Sequence, residues 1–235
     1  MKYHSLSFFL VFVFTVGFYS NETHSQVKDN GYSQLVVLFG EWRNFEKPPL
    51  RKGAPDYTKE TFDNRQSNFK SLQDKLMAID TTNWPIPHQV DWHIVRAEMN
   101  GYDFNYRVLK PWERDPAYYK SLWEDRSDVP AHEGPTHHMT TELWTYAFPL
   151  SKDDRQRLLS DLKVISPLNE QAKINLTGNA KDLWIAGIRD IERQSIDLKK
   201  ILSFEGIAKD KEIQIVLQNA IASTDNLVSW LKEMS

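Results

Sequence analysis

The run Asn179 to Phe204, "NAKDLWIAGIRDIERQSIDLKKILSF", decides the fold class. Trp184, Ile188, Ile191, Leu198 and Leu202 recur at steps of three, four and seven, so they share one face of a helix with charged residues opposite. A half-buried strand would need alternation, which the run lacks. Asn179 stands where a helix takes its cap, and the face is expected to hold to about Phe204. The same period continues downstream through Ile213, Leu217, Ala220, Leu227 and Leu231. Upstream, Ser151 with Asp154 has capping-box spacing and opens a helix through Leu158, Leu162 and Ile165, which Pro167 is expected to interrupt.

The first half has the same rhythm. "SQLVVLFGEWRNF" puts Leu35, Leu38, Trp42 and Phe45 on one stripe, and Pro48 and Pro49 stop it. "KGAPDY" is a turn, with Asp56 or Thr58 capping a helix whose stripe is Phe62, Phe69, Leu72, Leu76 and Ile79. After "TTNWPIP", a third helix is expected over about Gln89 to Val108, carrying Ile94, Val95, Met99 and Phe104. Gly101 inside it costs about 1 kcal/mol against Ala unless something packs closely there. Periodicity is lost from Pro111 to Pro149, with one short helix expected at "PAYYKSLW". The expected architecture is all-α: a multi-helix array with a long irregular Pro-rich segment around 110–150, in a single helical domain over 26–235. Long irregular segments tend to carry function or cover a cleft, so a site is sought there.

The first 25 residues read as a signal peptide. Lys2 and His4 precede the apolar run "LSFFLVFVFTVGF", which is too short for a confident membrane span, and Thr23 and Ser25 flank a possible cut after Ser25. The chain is therefore expected to be exported, periplasmic or secreted, with an uncleaved N-terminal anchor as the alternative. Cysteine is absent, so the chain has no disulfide and no thiol for lipid attachment. With 29 basic and 32 acidic residues and no run of one sign, there is no electrostatic footprint for nucleic acid or for a membrane beyond the N-terminal signal.

"AHEGPTHHM" gathers His132, Glu133, His137 and His138. A zinc helix of H-E-x-x-H type needs histidines four apart so that both imidazoles point the same way. His132 and His137 are five apart, and Gly134-Pro135 between them forbids a regular helix. A loop could still offer these four residues to a metal, and a self-sufficient hydrolase is one reading. A turn at the edge of a wet cleft is the other. In "HQVDWHIVRAEMNGYDFNYR", His88 could pair with Asp91 and Arg96 with Asp91 or Glu98, the plainer reading being an ion-pair network joining helices, and Glu98 beside Asp103 could act as an acid/base couple. Trp84, Trp92, Trp112 and Trp123 could line a peptide- or carbohydrate-binding cleft. Nucleophile-elbow, phosphate-loop and dinucleotide motifs are absent.

The strings "LFGEWRNFEKP", "GAPDYT", "LQDKLMAIDTTNWPIPHQVDWHIVRAEMNGYDFNYRVLKPWERDPAYY" and "NLTGNAKDLWIAGIRDIE" resemble the N-terminal part of the bacterial domain of unknown function 885 family, from about Gln34 onward. The resemblance implies a protein about twice this length, largely helical, similar to gluzincin-type zinc metallopeptidases and carrying its zinc motif in the C-terminal half. No catalytic, cofactor-binding or metal-binding residue carries over to this chain. What is implied is the helical N-terminal portion of a metallopeptidase-like protein, forming one wall of a substrate cleft for peptides and inactive alone. Zinc is implied only for a full-length relative. The chain stops four residues after Leu231, which suggests a split or truncated gene product whose partner is a C-terminal half, or a homo-oligomer formed through exposed apolar surface on the last two helices.

Overall fold

The structure is a computed structural model that describes residues 31–126, 139–177 and 180–235. Helix α1 (Tyr32–Glu46) ends ahead of the Pro48-Pro49 stop. A two-residue hairpin, β1 (Leu50–Arg51) and β2 (Ala54–Pro55), turns through Lys52 and Gly53, both left-handed at φ 53° and 83°, as a tight primed turn requires. Thr58 caps α2 (Lys59–Met77) by accepting the Thr61 amide at 3.3 Å. Helix α3 (Ile86–Phe104) runs on into a π-turn, Asn105–Leu109. These three helices pack on one another around Leu38, Trp42, Phe69, Leu76, Trp92 and Met99.

Next come a single turn, α4 (Pro111–Arg114), and a 3₁₀ turn, Pro116–Tyr119. A two-residue parallel pair follows, β3 (Leu122–Trp123) with β4 (Thr141–Glu142). Helices α5 (Lys152–Asn175), α6 (Lys181–Ile201) and α7 (Lys211–Met234) form the second half, with α7 packed along both others. The all-α, multi-helix expectation holds; the strands are two residues each. Among the described residues, no helix is long and apolar enough to cross a membrane.

Several expectations are corrected. In α3, Trp92, Val95 and Met99 are buried, whereas Ile94 and Phe104 face outward. The helix is apolar on two sides, and periodicity alone does not say which side meets the core. Pro167 does not interrupt α5. A proline inside a helix costs about 3 kcal/mol, but Val164, Ile165 and Leu168 around it are fully buried, at about 1.5–3 kcal/mol each. Burial wins. Helix α6 begins after Ala180 with no side-chain cap; Asn179 lies outside the described residues. The Ser151 cap and the final stripe, Ile213 through Leu231, stand as expected.

The Pro-rich segment departs most from expectation. "PAYYKSLW" is helical only over Pro116–Tyr119, as a 3₁₀ turn, and Tyr118, Tyr119, Lys120, Ser121 and Leu122 are buried among α4, α5 and α6. An irregular backbone can be buried only if its polar groups find partners. Amide side chains supply them. On α6, Gln194 Oε1 accepts the Leu122 amide at 3.0 Å and the Ser121 amide as well. On α5, amides do the same for the link between β2 and α2: Gln171 accepts the Tyr57 amide at 3.0 Å and donates to the Pro55 carbonyl at 2.9 Å, and Asn175 donates to the Tyr57 carbonyl at 2.9 Å. Gly187 lets the segment approach: a Cβ there would stand 2.8 Å from the Ala117 nitrogen and from the Pro116 Cβ.

Candidate functional site

The widening of α3 into the π-turn turns Asn105 and Tyr106 toward α2, and Lys110, left-handed at φ 46°, then redirects the chain into Pro111 and Trp112. Helical π-turns recur at functional sites because the extra residue re-aims side chains. Here they meet a wall of rings. Phe62 stacks on Trp112 with centroids 3.8 Å apart, Tyr106 tilts onto Phe62 at 6.0 Å, and Tyr57 meets Tyr118 edge-on at 5.0 Å.

On one side of this wall lies a crevice of about 100 Å³ lined by Glu46, Arg65, Tyr102, Asn105 and the rings. Small-molecule sites run to about 300–1,000 Å³, so this crevice has room for one small side chain or group. Burial lifts the Glu46 carboxyl above the ordinary range, against the pull of Arg43. Burial also raises the Tyr102 phenol, whose buried oxygen has no hydrogen-bond partner among the described residues. Arg65 sits 4.4 Å over the Phe45 ring and donates to the Lys47 carbonyl at 3.2 Å. The crevice thus combines aromatic faces for stacking with a buried, unpartnered hydroxyl and a guanidinium edge.

Across the wall is a second hollow of about 240 Å³, lined by Lys59, Asp63, Arg107, Lys110 and Glu113. Asp63 accepts from Lys59 at 2.5 Å and from the Tyr106 hydroxyl at 3.0 Å, and those bonds hold its carboxyl below the ordinary range. The charges are mixed and mutually paired, which makes it a solvated ion-pair surface.

The residues singled out in the sequence are placed as follows. His132, Glu133, His137 and His138 lie outside the described residues. Among the described residues, no group of three or more His, Asp or Glu could hold a metal ion. The tryptophan cleft is overturned: Trp84, Trp92 and Trp112 are at most 9% exposed, with Trp92 Nε1 donating to the Leu76 carbonyl at 3.0 Å. Trp123 is half-buried under the Lys120 ammonium, 4.1 Å from its centroid. Trp84, Trp92 and Trp112 are core, and Trp112 also edges the crevice.

Asp91 and Glu98 of α3 tie it to α1, whereas Arg96 and Asp103 make local contacts. Asp91 accepts the Tyr32 hydroxyl at 2.6 Å, and His88 stacks on that ring at 3.8 Å. Glu98 accepts from Trp42 Nε1 at 3.1 Å and Arg43 at 3.0 Å; Asp103 pairs with Arg107, and Arg96 lies 5.5 Å over Trp92. Glu98 and Asp103 therefore serve separate partners. Tyr57, Arg65, Tyr102 and Tyr106 were not legible as site residues, because their meeting depends on the π-turn. The one sequence signal is the density of rings in "NGYDFNYRVLKPWERDPAYY".

No family model matches the chain, and no curated protein matches it. The fold is similar to the solved structure of a candidate lipoprotein of unknown function from Shewanella oneidensis, with a TM-score of 0.54 at 16% sequence identity over 87% of this chain. The chain spans about a third of that protein's length, 36%.

Proposed function

We propose that this chain is a helical, non-catalytic unit of an exported metallopeptidase-like protein, and that it contributes one wall of a peptide-binding cleft. The observation that supports a place within a longer protein is the fold match, in which most of this chain lies along about a third of a longer candidate lipoprotein. The long Trp-rich strings resembling the N-terminal part of the domain of unknown function 885 family point the same way, and in that resemblance the zinc motif belongs to a segment beyond this one. The leader-like first 25 residues support export. The chain has no cysteine, so a lipoprotein's thioether has no atom to form on here.

The crevice beside the π-turn is the part of the wall best built for a peptide. Its rings would stack on an apolar side chain, while Arg65 and the Tyr102 hydroxyl would meet the neighbouring amides.

The test is to assay the purified chain alone for hydrolysis of a mixed peptide library, with and without chelator, and to measure its zinc. The expected result is no chelator-sensitive cleavage and substoichiometric zinc. Chelator-sensitive hydrolysis, lost in a His137→Ala, His138→Ala double variant, overturns the reading in favour of a self-sufficient enzyme. For the crevice, peptides with an apolar side chain are expected to shift Trp112 fluorescence in the parent and not in Arg65→Ala.

A further inference from the structure

Helix α3 presents a second apolar stripe that the fold leaves uncovered: Val90, Ile94, Ala97, Gly101, Phe104 and Val108 are all exposed, Ile94 at 51% and Phe104 at 48%. At about 100° per residue, the first five lie within about 40° of one line, and Val108 continues them on the π-turn. Beside the stripe, a groove of about 250 Å³ between α3 and α1 adds Val36 and Phe39. On α6 and α7 the main stripes are buried, and the exposed apolar residues Leu183, Ile185, Ile196, Ile215 and Met234 stand at scattered positions.

The stripe is symmetric about position 99: Val90 and Val108, Ile94 and Phe104, and Ala97 and Gly101 are each equidistant from it. We propose that this face binds a second copy of the chain, α3 against α3 antiparallel about a two-fold axis at position 99. An isologous contact requires a patch complementary to itself. Antiparallel pairing sets Ile94 against Phe104 of the second copy and brings the two small residues together at the centre. Within one chain Gly101 serves no packing purpose, since nothing lies within 4 Å of where its Cβ would stand. A close helix crossing gives it one.

The area sets the strength. A stripe about 27 Å long and about 10 Å wide buries on the order of 550 Å² over two copies, short of the roughly 1,000 Å² that a stable interface needs. Val36 and Phe39 of α1 must therefore join the contact, and association is expected in the micromolar range. This inference does not depend on the proposed peptidase role.

The test is sedimentation equilibrium of the purified chain from Gly31 onward, over a concentration series through the micromolar range. The parent is expected to dimerise reversibly and Ile94→Asp to stay monomeric with an unchanged circular dichroism spectrum. Ile215→Asp, at an exposed position on α7, is expected to dimerise like the parent. Because the chain has no cysteine, mixed Val90→Cys and Val108→Cys chains are expected to cross-link. Val90→Cys alone is not, since its two copies would lie about 27 Å apart along antiparallel helices. A parent that is monomeric throughout, a dimer that Ile94→Asp leaves intact, or self-cross-linking of Val90→Cys overturns the proposal. So does a monomer that floats with phosphatidylglycerol vesicles in an Ile94-dependent way, which assigns the face to lipid.

Discussion

Helices α3 and α6 each carry one interior glycine, and the two glycines do opposite things. At Gly187 on α6 a neighbouring backbone lies where a Cβ would stand, whereas at Gly101 on α3 there is open space. The contrast extends to the regions around them. The second half of the molecule holds irregular chain by specific contacts, with Gln194 replacing backbone partners for Ser121 and Leu122, and Gln171 and Asn175 doing so for Pro55 and Tyr57. The first half packs rings on one side of α3 and leaves the other side free. Where chain must be buried without regular structure, polar side chains inside a helical stripe become structural necessities.

The contrast breaks most readily at Gln194. Gln194→Leu keeps the volume but takes the acceptor from the Ser121 and Leu122 amides, and is expected to cost about 2–6 kcal/mol, at about 1–3 for each buried donor. Urea unfolding measures it, and a loss below about 1 kcal/mol would mean that the segment is not held in this way. Gly187→Ala follows, at about 1–3 kcal/mol from overpacking against Pro116 and Ala117, read as a lower urea midpoint at unchanged slope.

Asp210 sharpens the comparison through pH. It caps α7 by accepting the Ile213 amide at 3.1 Å and accepts Arg155 Nη2 at 3.0 Å. The bonds from Arg155, ahead of opposing desolvation, hold its carboxyl below the ordinary 3.8. Its stabilisation is therefore complete above the unfolded value and is lost as pH falls through the lower folded value. Asp210→Asn keeps a cap acceptor, so it is expected to cost about 1 kcal/mol at neutral pH. It should also flatten the acid limb of a stability–pH profile below about 4. The smallest effect is at Gly101. In dilute protein Gly101→Ala is expected to stabilise the chain by about 0.5–1 kcal/mol, seen as a higher melting temperature. In concentrated protein the added Cβ stands in the proposed crossing and weakens association.

Regular structure was legible because it depends on neighbours in sequence. The stripes of α1, α2, α6 and α7, the Thr58 and Ser151 caps and the Pro48-Pro49 stop all follow from 3.6-residue periodicity and from local chemistry. Less of the candidate site could be read, because Glu46, Tyr57, Arg65 and Tyr106 come from separate segments and no local rule brings them together.

What the sequence by itself determined is that this protein is helical, where most of its helices begin and end, and that the described residues between Pro111 and Pro149 are mostly irregular. Only the tertiary structure decided which apolar side of α3 is core, that α5 passes straight through Pro167, and that "PAYYKSLW" lies in the interior. The reason is common to all three. Each outcome is settled by burial worth several kcal/mol against partners far along the chain, which outweighs local preferences of about 1–3 kcal/mol.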